Sequence, residues 1–362
     1  MPAILPVVAL RDMRRKTCCS LPSRLQWRRQ LKAVQVNAFG PIAQASFTDV
    51  ADPVAKEREV VIAVEVAEVN YPDILMMEGN YQVKPPLPFA PGKGAAGRVV
   101  ALGAGISDLK VGQRVAAQLE YGAFAETISV CRSLCYPVPD GVDIQSACAA
   151  VLTYQTAWFA LTDRGLMQPG ESVLVLGAGG GVGIAAIHLA KALGAGKVIA
   201  GTRGTAKAEL VRQAGADHVV DLAMANLRDG LRAEIHALTE GRGIDVTIDP
   251  VGGVVFEPAL RALAWRGRHI VIGFTGGDIP VARTNYLLVR NISVCGLQGS
   301  DYRDRWPEAC ATVQARIFDF IEDGMFKPEV SVVLPMSRFV DALEMLRRGE
   351  AQGKILLAPD VA

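Results

Sequence analysis

The run VLVLGAGGGVGIAAIHLAKALGA, residues 173–195, limits the fold more than any other part of the chain. It joins a strand-like apolar run to an apolar stretch of helical period through five glycines in seven positions, Ala178 and Val182 being the exceptions. A strand, a tight glycine turn and a helix in that order form the opening of a dinucleotide-binding βαβ unit. The turn must be tight, the backbone must approach a pyrophosphate, and the helix must pack close to its strand. Measured as G-x-G-x-x-G, the run offers Ala178, Gly180 and Gly183. The helix starting near Val182 aims N–H groups and its positive dipole end at the phosphates. No Lys-Ser/Thr pair follows, so the loop is not that of a nucleoside triphosphatase.

The surrounding pattern extends the unit. KVIAG, a helix over 206–214, HVVD, a helix over 227–238, IDVTIDPV, a helix over 256–264, RHIVIGF and NISVCGL alternate strand with helix. That alternation predicts a doubly wound parallel sheet, an α/β fold. Before it, VVIAVEVAEVN, RVVALG and GQRVAAQ read as strands in a β-rich region, and the proline-dense KPPLPFAPGKG reads as extended loop. After it come an amphipathic helix over 307–322, another over 339–347, and the strand KILLA. These elements are too few to stand alone and are expected to pack on the first region. The expected division is a basic tail over 1–31, a catalytic domain over 32–153, a dinucleotide-binding domain over 154–298, and a return segment over 299–362.

Which nucleotide is bound turns on VIAGTRG, at the end of the second parallel strand. About 20 residues beyond the glycine loop, an NAD site places an acid on the ribose 2′-hydroxyl. This chain has Thr202 and Arg203 there, with Lys207 following. A guanidinium and an ammonium attract a 2′-phosphate where a carboxylate would repel it, so the expected cofactor is NADP(H).

Charge and cysteine narrow the classes that remain. With 38 basic and 37 acidic residues the net charge is +1, so no overall field draws the chain to nucleic acid or an anionic membrane. No apolar run reaches the roughly 18 residues of a membrane span. Seven scattered cysteines give no disulfide framework, and a cytoplasmic, reducing setting is expected. Cys131 and Cys135 have no second pair nearby to complete a structural zinc site. The first residues carry Arg11, Arg14, Arg15, Lys16, Arg24, Arg28 and Arg29 against Asp12. They read as a disordered tail or the product of an upstream start codon, with a mitochondrial transit peptide as the alternative.

Several segments together resemble the zinc-independent quinone oxidoreductases of the medium-chain dehydrogenase/reductase superfamily. They are LKAVQV, VNYPDILMMEGNY, LPFAPGKGAAGRVVALG, LTYQTAWFAL and IDVTIDPVGG. The resemblance covers the chain from about Lys32 onward. It implies a GroES-like, barrel-like catalytic domain built from both chain ends, a Rossmann domain between them, and NADPH in the cleft. By the same resemblance Thr153 lies near the nicotinamide, Gly180, Gly181, Val182 and Gly183 contact the pyrophosphate, Gly273 and Phe274 flank the nicotinamide ribose, and Lys354 stands near the closing strand. It also implies a homodimer, with ISVCGL the candidate edge. Gly94 departs from the family, which usually has Glu there, and this is expected to loosen a hydrogen-bond network beneath the cleft. Leu222 replaces a tyrosine that some relatives present to the adenosine.

Zinc-dependent members of that superfamily need a histidine in the catalytic region. Here the four histidines are His188, His218, His236 and His269, all in the cofactor region, so no catalytic metal is expected. Without a Lewis acid the acceptor must already be electrophilic, a quinone or an α,β-unsaturated carbonyl. The expected activity is NADPH:quinone reduction. Enal, enone or enoyl-thioester reduction is the enzymatic alternative, and a non-enzymatic NADPH-binding protein a further one. Asn70 and Tyr81 are the candidates to hydrogen-bond the oxygen that gains charge, with Tyr71 and Tyr154 behind them; solvent delivery of the proton is the competing route.

Overall fold

The computed structural model describes residues 31–360, and the basic tail therefore lies outside the described residues apart from Leu31. That residue opens the strand Leu31–Gln35, which pairs antiparallel with Ser46–Val50.

The glycine loop does begin a parallel sheet. Six strands, Ser172–Leu176, Lys197–Thr202, His218–Asp221, Ile244–Asp249, Leu263–Val271 and Ser293–Gly296, lie side by side in the order third, second, first, fourth, fifth, sixth. Every registered pair among them is parallel. This order places the switch point between the first and fourth strands, where open α/β sheets bind ligands at the strands' carboxyl ends. The first strand, SVLVL, is buried along its whole length, as a strand with helices on both faces must be. Gly181–Ala192 buries eight of its twelve residues, whereas Leu227–Leu238 buries only Leu231 and Ile235; the central helix is therefore apolar nearly all round and the flanking one amphipathic.

The two chain ends build the second body. Glu59–Glu68 is its hub, pairing antiparallel with Gly94–Leu102, with Thr127–Cys131 and with the closing strand Lys354–Ala358. Val330–Pro335 adds in parallel to the closing strand. The return segment thus completes the first region's sheet. The GroES-like body has a core around Val34, Ile62, Phe124 and Leu357 and the Rossmann body one around Leu174, Ile199 and Leu260, while a third buried cluster runs from Val66, Ala96 and Leu356 through to Val173 and Ile187 and is shared by both. Leu152–Phe159 joins them and continues into a π-helical turn over Ala160–Arg164, so the expected break at 153 falls inside a helix.

The predicted helices over 227–238, 307–322 and 339–347 are found with those bounds. That over 256–264 ends at Ala262, because Leu263 is already extended and starts the fifth strand. That over 206–214 is shorter, Ala208–Gln213. The short helices Thr284–Arg290 and Gly299–Arg305 were not foreseen; at seven residues each they carry too little periodicity to read. Among the described residues no helix is long and apolar enough to cross a membrane.

Candidate active site

Between the first parallel strand and its helix the backbone has no room for a side chain at Gly183. A Cβ there would lie 2.5 Å from the Ala178 carbonyl oxygen and 2.6 Å from that of Gly177. Strand and helix therefore close tightly, and Gly180 becomes the helix N-cap. The first intrahelical bond runs from Ile184 N–H to the Gly180 carbonyl. The N–H groups of Gly181, Val182 and Gly183 belong to the turn that a helix leaves unpaired.

Two lysines from opposite directions border this loop. The Lys207 stem crosses Gly179, with its Cδ 2.5 Å from where a Cβ would stand. Its ammonium donates to the Ala351 carbonyl at 2.5 Å, and burial pulls its pKa down. From the other body Lys354 lies against Gly181: its Cδ would be 3.0 Å from a Cβ there, and the Thr153 methyl 3.2 Å. Thr153 itself is buried, its hydroxyl donating to the Ala149 carbonyl at 3.2 Å.

At the end of the second strand Thr202 is buried and Arg203 exposed. The Thr202 hydroxyl donates to the Gly204 carbonyl at 2.9 Å, and Gly204 N–H to Asp221 Oδ1 at 2.8 Å. The turn is thus shaped by its own polar groups, and Arg203 has no ion pair among the described residues. Lys207, expected beside Arg203, instead reaches toward the other body. Leu222 packs over Gly201 and lines a concavity of about 530 Å³ with Met224, Leu227 and Phe256.

Beyond the fourth strand, Asp249 Oδ1 accepts from Val251 and Gly252 N–H at 2.9 and 2.8 Å, and Oδ2 lies 2.8 Å from His269 Nε2. His269 therefore shapes this loop. Gly273 and Phe274 follow the fifth strand, and the Phe274 ring edge lies 2.8 Å from where a Gly252 Cβ would be.

The catalytic candidates sit on the GroES-like side. Asn70 caps the helix Tyr71–Met77, and its N–H donates to Asp73 Oδ2 at 2.8 Å. Asp73 is fully buried, and burial pushes its carboxyl up to about 7 despite the Asn70 hydrogen bond and the nearby Lys93 and Lys354 charges. The Asn70 side chain is buried; Oδ1 accepts from Lys354 Nζ at 2.5 Å. Tyr81 is half-buried beside Gln298 and Ser300, and burial followed by the Glu120 charge raises its phenol pKa. The Lys93 ammonium lies 4.9 Å from its ring centroid, an attractive cation–π distance. Lys93 is 2.7 Å from Glu120 Oε1, and Arg303 Nη1 is 2.7 Å from Glu120 Oε2.

Tyr154 does not join this group. Its hydroxyl lies 2.8 Å from His188 Nδ1 in the packing between helices. The reading of the sequence also missed Glu68, Lys93, Glu120 and Arg303, which come from four distant segments. Only Lys93, a lysine set between two glycines in an apolar loop, left a trace. Cys131 Sγ lies 3.2 Å from Ser133 Oγ while Cys135 is buried, and no group of three or more metal-binding side chains occurs among the described residues.

Two family models match the chain: the alcohol dehydrogenase GroES-like domain over residues 56–140 and the zinc-binding dehydrogenase over residues 181–315. Quinone oxidoreductase-like protein 2 of Mus musculus is 36% identical over 301 residues, covering 83% of this chain and 85% of that protein. A probable oxidoreductase from Mycobacterium abscessus superposes with a TM-score of 0.82 at 37% identity, covering 92% of this chain and all (100%) of the other. The mycobacterial protein Rv1454c, solved complexed with NADPH, gives 0.84 at 28% identity, covering 91% of this chain and 100% of that one.

Proposed function

Since the chain belongs to the quinone oxidoreductase-like family of the medium-chain dehydrogenases/reductases, we propose that it is an NADPH-dependent reductase of quinones. The observation that carries this reading is the convergence of Lys354 and Thr153 on Gly181, with the buried Asn70 amide bound to the Lys354 ammonium, which ties that amide to the glycine turn. The NADPH complex of the mycobacterial protein supports the choice of nucleotide.

The residues fit the group they would hold. Gly180, Gly181, Val182 and Gly183 offer N–H donors to a pyrophosphate. Thr202 and Arg203 are the proposed contacts of the adenosine phosphate, while Lys207, expected with them, covers the glycine loop at Gly179 instead. Thr153, Gly273, Phe274 and Lys354 would surround the nicotinamide end. When bound, the reduced nicotinamide supplies a hydride. The protein's own part is to hold the acceptor in a cleft poor in water and to donate to the oxygen that gains charge. Asn70 does so through its amide, and Tyr81 offers a phenol O–H that can pass the proton.

The cleft does not fit a catalytic zinc. Its buried carboxylate, Glu68, is already paired with Lys354, and Cys148 Sγ is turned to the Val66 carbonyl. No step is therefore assigned to a metal. We also propose that two copies pair through the edge strand Ser293–Gly296, which light scattering of the purified protein would test.

A panel of quinones, enals, enones and enoyl thioesters, with NADPH oxidation as the signal, tests the function. Quinones turn over fastest on this reading, with no loss after chelator treatment. Exclusive turnover of thioesters would reassign the substrate, and tight NADPH binding without turnover on the whole panel would favour a non-enzymatic role.

A further inference from the structure

Glu68 and Gly94 face each other across the antiparallel strand pair. Glu68 is fully buried, and a Cβ built on Gly94 would run into its Oε1. One volume beneath the cleft thus holds one acid, and here the acid enters it from position 68. This answers the departure noted at Gly94: the network is not left open, because the facing strand fills it.

Two contacts show what the carboxylate holds. Oε2 lies 2.7 Å from Lys354 Nζ, and Oε1 accepts from the Leu152 N–H at 3.4 Å, at the start of the helix that joins the two bodies. Lys354 is only 5% exposed. An ammonium in such a place depends on its counter-charge. Lys354 also donates to Asn70 Oδ1 at 2.5 Å and to the Val69 carbonyl at 3.3 Å. An ammonium has donors only, so the Asn70 atom that faces it must be the carbonyl oxygen. The amide nitrogen is thereby turned away from Lys354, with one long contact to the Glu68 carbonyl at 3.4 Å, and keeps a hydrogen for another acceptor.

We infer that Glu68 is a positioning residue: it fixes the Lys354 ammonium, which fixes the orientation of the Asn70 amide, so that a donor rather than an acceptor meets the substrate oxygen. The inference rests on the cleft assignment proposed above. Without the carboxylate, Lys354 loses its buried partner and is free to move, and the amide can turn its oxygen toward an oxygen that is becoming negative.

The test separates turnover from amide orientation. Glu68→Gln removes the charge at nearly constant volume. It should lower kcat by about tenfold or more, the scale of losing an oriented donor, while NADPH affinity changes by less than about threefold. Lys354→Met should lower kcat similarly, and the double variant should be little worse than either single, as expected for residues acting in one chain. Glu68→Gly with Gly94→Glu returns the acid from the facing strand and should recover most of kcat. Independently of turnover, the Asn70 side-chain amide resonances of the NADPH-free protein should shift in Glu68→Gln and Lys354→Met and return in the swapped variant. Unchanged kcat together with unchanged Asn70 resonances in Glu68→Gln overturns the inference. If that variant does not fold, unchanged Asn70 resonances in Lys354→Met overturn it instead. A wild-type protein inactive on every acceptor counts against the proposed function, and the resonances then decide the positioning role alone.

Discussion

The Lys207 ammonium and the Ala351 carbonyl, 144 positions apart, are joined by a 2.5 Å hydrogen bond that spans the two bodies across the glycine loop. Arg203, four residues earlier in the chain, is exposed at the end of the second strand. Two basic residues that look alike in the sequence therefore act at different places, and their substitutions should separate. Arg203→Ala should raise KM for NADPH by about tenfold, the scale of a lost charge-assisted hydrogen bond, with KM for NADH unchanged. Lys207→Ala should weaken both nucleotides, because it uncovers the loop that serves the pyrophosphate they share. Steady-state kinetics with each nucleotide decides the matter; an equal effect of Arg203→Ala on both would reject the 2′-phosphate assignment.

Gly183→Ala should abolish nucleotide binding at a cost to the fold. The added methyl would meet two carbonyl oxygens at 2.5 and 2.6 Å, so the helix must move off its strand. Overpacking of this kind costs about 1–3 kcal/mol, and the N–H groups would no longer converge. Fluorescence titration with NADPH and thermal melting together check this; native affinity in a stable variant would contradict it.

Asp73 links stability to pH with a definite sign. Its native carboxyl titrates near 7, against 3.8 for the free side chain. Between those values the unfolded chain has released the proton while the native protein keeps it, so this group lowers stability as pH rises. Lys93 and Lys354 temper the effect and Glu68 strengthens it. Asp73→Asn cannot ionise. The melting temperature of that variant, relative to wild type, should therefore be higher near pH 7.5 than near pH 4.5; a difference independent of pH would count against the assignment.

His188 acts over nearly the same pH range with the opposite sign. Burial depresses its imidazole to about 4 from 6.5, so the native protein stays neutral there while the unfolded chain takes up a proton. Stability tied to His188 is complete above pH 6.5 and is lost as pH falls toward 4. His188→Gln should flatten that part of the profile. Tyr154→Phe should cost about 1–3 kcal/mol by leaving the ring nitrogen without its partner, yet leave kcat unchanged, because the hydroxyl is engaged by His188 in the packing between helices. Urea denaturation across pH 4–7 and turnover of Tyr154→Phe check both halves of this statement.

The legible part of this protein was local. Strand, glycine turn and helix follow one another within 23 residues, and each constraint on them acts between near neighbours: Gly183 against Ala178, Gly180 as the cap of its own helix. Helical periods over 227–238, 307–322 and 339–347 are likewise one-element properties, and their bounds emerged intact. The seven-residue helices span about two turns, too short for a period to declare itself.

The cleft was legible only as residue types. Asn70 and Lys354 could be named from the sequence, but not the bond between them, 284 positions apart. Lys93, Glu120 and Arg303 form one ion-paired group from three segments, and nothing in their local context marks them as partners. The acid at position 68 in place of 94 is the clearest case. In the sequence Gly94 is a gap in a network; in the folded sheet Glu68 stands directly opposite and fills it. Strand register decides which side chains share a volume, and register is set by the packing of both bodies rather than by any single segment. The amino-acid sequence by itself therefore determined the doubly wound sheet and its phosphate-binding turn, whereas the charge network that orients Asn70 was decided by tertiary structure, because a buried ion pair exists only once distant strands have brought its two ends within reach of each other.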